Sequence, residues 1–151
     1  MTRFYDIDDA NERIPEVRDI LLALRDQREE LIRLRDEAME RGASVEAAAG
    51  EGSRGEGPRS ERGSESVGID DDLRVLKLRM QGVIDQMAAA VTRLEELSIT
   101  LRDIQTGLID FPALVNGRQV WLCWRLGEGP VEYWHELSTG FSGRQPLADL
   151  A

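Results

Sequence analysis

From Leu73 to Ile104 an apolar residue recurs at alternating steps of three and four: Leu73, Leu76, Met80, Val83, Met87, Ala90, Leu94, Leu97, Leu101 and Ile104. That spacing averages about 3.5 residues, the period of a left-handed coiled-coil seam, and it predicts one long helix over residues 70–105. Asp70, Asp71 and Asp72 put negative charge at its start, where backbone N–H groups lack partners. Ile84 and Val91 flank the seam and widen it. A stripe this long has to be covered by something.

The N-terminal part supplies the cover. Ile14, Val17, Leu21, Leu24, Leu31, Leu34 and Ala38 form a second stripe, with Gln27 filling the gap after Leu24 in a local stammer. Asp6 can accept an orphan N–H at the start, and Asp8 and Asp9 favour the first turn. A helix over residues 4–41 follows, kinked near Pro15, which removes one backbone bond and disfavours helical angles at Ile14. Helices of about 35 residues span roughly 50 Å. Their matching lengths suit an antiparallel hairpin. Ile20, Ile32 and Met39, with Ile84 and Val91, exceed one seam, so a sheet or a second copy of the chain is expected to cover them.

Between the helices, residues 42–69 are dominated by Gly, Ser, Glu, Arg and Ala, with only Val45, Val67 and, at the very end, Ile69 as larger apolar groups. Such a segment cannot offset its ordering entropy by burial, so a disordered acidic insert is expected. The net charge of −10 and pI of about 4.6 argue against nucleic-acid and anionic-membrane partners. No apolar run is long enough to span a bilayer or to form a secretory signal. The single cysteine, Cys123, forms no intrachain disulfide and suits a reducing, cytoplasmic setting.

After Gly107 the period changes. Residues 108–115 and 118–126 flank Asn116-Gly117, a strong hairpin signal, and Gly127-Glu128-Gly129-Pro130 makes a second turn into Val131–Leu137. A two-residue loop pairs Val115 with Arg118, and hence Phe111 with Leu122 and Asp110 with Cys123. A four-residue second loop pairs Leu126 with Val131, so Leu122 faces His135 and Cys123 faces Trp134. Ile109, Phe111, Val120, Leu122, Trp124, Val131, Tyr133, His135 and Leu137 then share the face expected to meet the helices. Asp110, Trp121, Cys123, Arg125, Glu132, Trp134 and Glu136 share the other, with Arg125 across from Glu132. A slip by one residue inverts the last strand. Pro112 makes the first strand an edge. The expected fold is α+β: a long antiparallel two-helix coiled-coil hairpin with a three-stranded antiparallel β-meander over 107–137 and a loop tail over 138–151.

Several motifs bear a resemblance. Phe4, Asp9-Ala10-Asn11, Ile14-Pro15, Gly107-Leu108-Ile109-Asp110-Phe111-Pro112, Leu122-Cys123-Trp124 with Gly127-Glu128, Tyr133-Trp134-His135 and Gly140-Phe141-Ser142-Gly143-Arg144-Gln145-Pro146 resemble an uncharacterised bacterial family, domain of unknown function 2203. The family more often has glutamate where Asp9 stands, and this insert is longer. The resemblance implies a fold and a set of motif residues, not a reaction.

The candidate functional cluster is Asp110, Trp124, His135, Glu136 and Arg144. His135 reads as a packed ring on an apolar face, or as a general base or ligand beside Asp110, Glu136 or Arg144. Arg144 reads as the ion-pair partner of Asp110 or Glu136, or as an anion binder with loop amides. Cys123 reads as a small hydrophobe, since no cation is evident to lower its pKa. One histidine and one cysteine fall short of a closed structural zinc site, so neither a metal nor a cofactor is expected. The three tryptophans exceed what a small core requires and suit a partner surface. The leading expectation is an interaction or scaffold module that forms a homo-oligomer or meets a protein partner, with enzymatic activity left open and disfavoured. The alternative is a small ligand- or metal-binding protein or enzyme with a site at the sheet end built from Asp110, His135, Glu136 and Arg144.

Overall fold

The computed structural model describes residues 2–51 and 62–150, with side chains described outside 44–67 and 69. Helix α1 spans Ile7–Glu51 and α2 spans Arg62–Glu96. On the insert side both run beyond the bounds read from the sequence, whereas α1 begins at Ile7 rather than at residue 4. Residues 42–51 and 62–69, expected to be disordered, continue the helices, and the alanines and glutamates of 42–51 favour that state. The rest of that expected insert, 52–61, lies outside the described residues. Pro15 sits within α1 without breaking it.

Every seam position of α2 from Leu73 to Leu97 is buried or half-buried, and the described residues between them are exposed apart from Val91. The seam stops there. Helix α2 was expected to reach Ile104, but Ser98 takes a left-handed φ of 61°. Ile99 N–H then donates to Leu94 O, and Ser98 N–H to Glu95 O. These two bonds, with Leu94 and Ile99 both buried, make a Schellman stop built on serine rather than glycine. The chain turns and enters a strand.

The meander therefore gains a strand at each edge. Strands β1 (Thr100–Asp103), β2 (Leu108–Val115), β3 (Arg118–Arg125), β4 (Tyr133–His135) and β5 (Gln145–Pro146) form one antiparallel sheet in sequential order. Asp103 Oδ2 accepts from Thr106 N–H and Oγ1 to shape the β1–β2 turn. Gly107 closes that turn at φ 67°, and a Cβ there would lie 2.4 Å from Leu126 Cδ1. Asn116 and Gly117, at φ 52° and 76°, make the expected hairpin turn. The β2–β3 register is the expected one, with Val115 opposite Arg118 and Asp110 opposite Cys123.

Two sheet expectations are corrected. Strand β2 is not an edge: β1 pairs with it over Leu108–Asp110, and Pro112, which has no N–H to give, lies beyond those pairs. Strand β4 is shifted by one residue, so that Trp121 faces His135, Leu122 faces Trp134 and Cys123 faces Tyr133. The connection is not a tight turn that dictates register. Val131 N–H donates to Asn11 Oδ1 on α1 at 2.7 Å, and Trp124 Nε1 donates to Gly129 O at 2.8 Å. The linker is anchored to its surroundings instead of to the strand ladder.

Two compact units arise, residues 1–26 with 87–151, and residues 27–86. In the first, Ile14, Val17, Leu21 and Leu24 of α1 share a core with Leu94 and Leu97 of α2 and with Ile109, Phe111, Val120, Leu122, Trp124 and Trp134 of the sheet. Tyr5 ties in the N-terminal segment, donating its N–H to Pro112 O and its hydroxyl to Leu97 O. The helices run antiparallel: Tyr5 meets Leu97, and Glu16 pairs with Arg93 at 2.7 Å. In the second unit Leu34 and Leu76 are buried and Arg41 pairs with Asp72. Among the described residues no helix is long and apolar enough to cross a membrane.

Candidate functional site

The shift in β4 decides which side chains meet. Residues opposite one another in an antiparallel pair share a face. With Trp121 across from His135, the ring of His135 joins Asp110 and Cys123 on the face away from the core, and Trp134 crosses to the core side. Three neighbouring strands thus deliver a carboxylate, a thiol and an imidazole to one place. Their potential ligand atoms all lie within 4.8 Å of one another, and all three residues are buried.

The contacts are specific. His135 Nε2 lies 3.0 Å from Asp110 Oδ2, between side chains 2% exposed. His135 Nδ1 lies 2.8 Å from the backbone carbonyl oxygen of Glu136. That oxygen can only accept, so Nδ1 carries a proton. Nε2 is thereby turned toward Oδ2. Arg102 Nε donates to the same Oδ2 at 2.8 Å, and its guanidinium lies 5.1 Å from the Trp121 ring. Asp110 Oδ1 is buried and accepts no nitrogen or hydroxyl donor, while the Cys123 thiol bears on the same carboxylate. The Cys123 thiol is pushed up to about 12 by burial and by the charge of Asp110, against a smaller opposing effect of Arg144. It is a protonated thiol at neutral pH, not a ready nucleophile.

A cavity of about 300 Å³ opens on this cluster. Arg102, Asp110, Cys123 and His135 line it from the sheet, and the exposed Leu137 and Phe141 wall it opposite. Phe141 begins a short 3-10 turn, Phe141–Gly143, in the C-terminal tail.

Of the five residues chosen from the sequence, two meet here, Asp110 and His135. Trp124 is fully buried on the opposite, core face, because alternation along β3 sends it away from Cys123. Glu136 touches His135 only through its backbone carbonyl, and its carboxylate pairs with Arg118. Arg144 meets neither Asp110 nor Glu136. Its Nη2 lies 2.9 and 3.0 Å from the two oxygens of Glu128, and its guanidinium stacks 3.9 Å from the Tyr133 ring and 4.6 Å from Phe141. It clamps the tail and holds Phe141 at the cavity wall. Arg125 lies 5.2 Å from the Phe141 ring.

Arg102 and Cys123 complete the cluster. Arg102 was hidden inside an expected helix. It is the extra residue where the β1–β2 register shifts between Leu101 and Asp103, and a bulge there re-aims a side chain. Cys123 was read from the sequence as a small hydrophobe, although the β2–β3 hairpin already set it beside Asp110.

The family model for the uncharacterized conserved protein DUF2203 matches residues 3–147. No curated protein and no solved structure matches the chain.

Proposed function

The chain belongs to the DUF2203 family, a membership that brings no reaction with it, and we propose that it is a small-ligand-binding protein acting through the Asp110–Cys123–His135 pocket. The observation that carries this is Asp110 Oδ1, a buried carboxylate oxygen that accepts no nitrogen or hydroxyl donor, beside a cavity. An unsatisfied buried polar atom is destabilising, on the order of 1–3 kcal/mol, and an occupant that supplies a donor or a cation relieves it. The rest of the cluster is ordered toward the same point: Glu136 O fixes the imidazole, and Arg102 fixes Oδ2. The volume suits a metabolite rather than a polymer. Its occupant combines a polar group facing Asp110 and Arg102 with an apolar part against Leu137 and Phe141.

A thermal-shift panel of small amines, carboxylates, amino acids and nucleosides tests this. At a ligand concentration of about 100 Kd, binding stabilises by about 2.7 kcal/mol. For a chain of this size that raises Tm by roughly 5–10 °C. The shift should shrink in Asp110→Asn and in Phe141→Ala. A panel without any shift, or a shift undiminished in both variants, contradicts the proposal.

The interaction role rests on a different observation. Within residues 27–86, Met39 and Leu78 are 66% and 67% exposed, and Val75 and Ile84 are also exposed. Self-association through this stretch would cover them. Light scattering at tens of micromolar should then give a multiple of the 17.0 kDa chain mass, and a clean monomer removes this role. The acidic balance weighs against nucleic-acid partners, and a lone buried thiol fits a cytoplasmic setting.

A further inference from the structure

Resting on that pocket, we infer that Asp110, Cys123 and His135 bind a thiophilic divalent cation, zinc or cobalt, as an open three-ligand centre whose fourth position faces the cavity.

The donor set selects the ion class. One sulfur, one imidazole nitrogen and one carboxylate oxygen suit zinc-like cations, whereas calcium and magnesium take oxygen alone. Three protein ligands with one open position is the arrangement of a catalytic centre, in contrast to the four protein ligands of a structural one. Asp110 and Cys123 face one another across β2 and β3, and His135 on β4 completes the triangle.

The separations fit. Around a tetrahedral ion with bonds of about 2.0–2.3 Å, ligand atoms stand about 3.3–3.6 Å apart. His135 Nε2 and Asp110 Oδ2 are 3.0 Å apart, and all three donors fall within 4.8 Å. A few tenths of an ångström of opening between the first two, and modest side-chain rotation at Cys123, make the centre. The ion takes the place of the direct contact between Nε2 and Oδ2.

The surrounding bonds are those a ligand set needs. A metal-ligating imidazole usually donates its other N–H to a carbonyl or carboxylate, which fixes the ring. His135 Nδ1 does so to Glu136 O, leaving Nε2 toward the cluster. A ligating carboxylate is itself held by a hydrogen bond. Arg102 supplies one to Oδ2, and the lone pair of Oδ2 that faces His135 Nε2 is the one the ion takes. Binding converts the thiol to thiolate and releases its proton to solvent. Asp110 and Cys123 then carry two negative charges against the two positive charges of the ion. The small molecule of the pocket enters at the open position, between Arg102 and the apolar wall.

Cobalt titration of the chelator-treated full-length protein tests this. It should saturate at one equivalent with a thiolate-to-cobalt charge-transfer band and the visible absorption of a tetrahedral site. Cys123→Ser should abolish the charge-transfer band and weaken affinity at least a hundredfold. Asp110→Asn and His135→Gln should each weaken it tenfold or more. Circular dichroism and melting identify variants that fail to fold, and for any such variant Cys123→Ala, a change of small volume, replaces it. Absence of the band in folded wild-type protein, or equal affinity in folded Cys123→Ser, overturns the metal centre. If the small-molecule thermal shift with its Asp110 and Phe141 dependence persists in that case, only the metal is lost and the pocket stands.

Discussion

Asp110 is the residue on which the outer face of the sheet turns. One oxygen holds both His135 and Arg102, and the other accepts no nitrogen or hydroxyl donor. Asp110→Asn keeps the shape but removes the charge that orders both partners. We expect a loss of about 1–3 kcal/mol in urea unfolding, the range for a buried hydrogen-bonded group left mismatched. Unchanged stability would mean that the cluster is not held as described. Cys123 makes a second prediction at this scale. Its thiol stands at about 12 rather than the usual 9.0. The thiolate fraction at neutral pH therefore falls by about a thousandfold. A disulfide reagent should label the native, metal-free protein far more slowly than the urea-unfolded chain, with one thiol released on unfolding. Equal rates would show the thiol to be open to solvent.

Among the elements, the short strand β1 does the most to build the site, because it brings Arg102. Its turn depends on Gly107, where a Cβ would collide with Leu126 and φ is positive. Gly107→Ala should destabilise by about 2–4 kcal/mol, from strain and overpacking together. Thermal melts check this, and a neutral result would mean that the turn relaxes freely. The helices of the first unit are also joined by Glu16 and Arg93. The Arg93 hydrogen bond holds the Glu16 carboxyl below its usual 4.5. A depressed folded value means that the pair stabilises above about pH 4.5, with this contribution lost as pH falls through the lowered value. The pair is largely exposed, so the effect is small. Glu16→Gln should flatten part of the acid-side decline in Tm. An identical acid profile in both proteins would remove the pair from the stability account.

Across the whole molecule, legibility in the sequence followed the strength of local rules. The α2 seam and the Asn116-Gly117 hairpin obey short-range spacing and turn chemistry, and their registers were readable. The stop at Ser98 was not, because serine in a left-handed cap carries no compositional mark and the seam period continued past it through Leu101 and Ile104. That error concealed β1 and Arg102 together. The β4 register was not readable because the linker before it is held by Asn11 and Gly129, contacts that only the folded chain creates. Asp110 and His135 were both identified from the sequence, yet their meeting depended on that one-residue shift. The pocket and its ion depend on it as well. The most direct measurement is therefore a set of nuclear Overhauser contacts from the His135 ring in isotopically labelled protein. The ring should show contacts to the Cys123 β-protons and the Trp121 side chain, and none to Phe111. Contacts to Phe111 and Leu122 would place the ring on the core face and contradict the account.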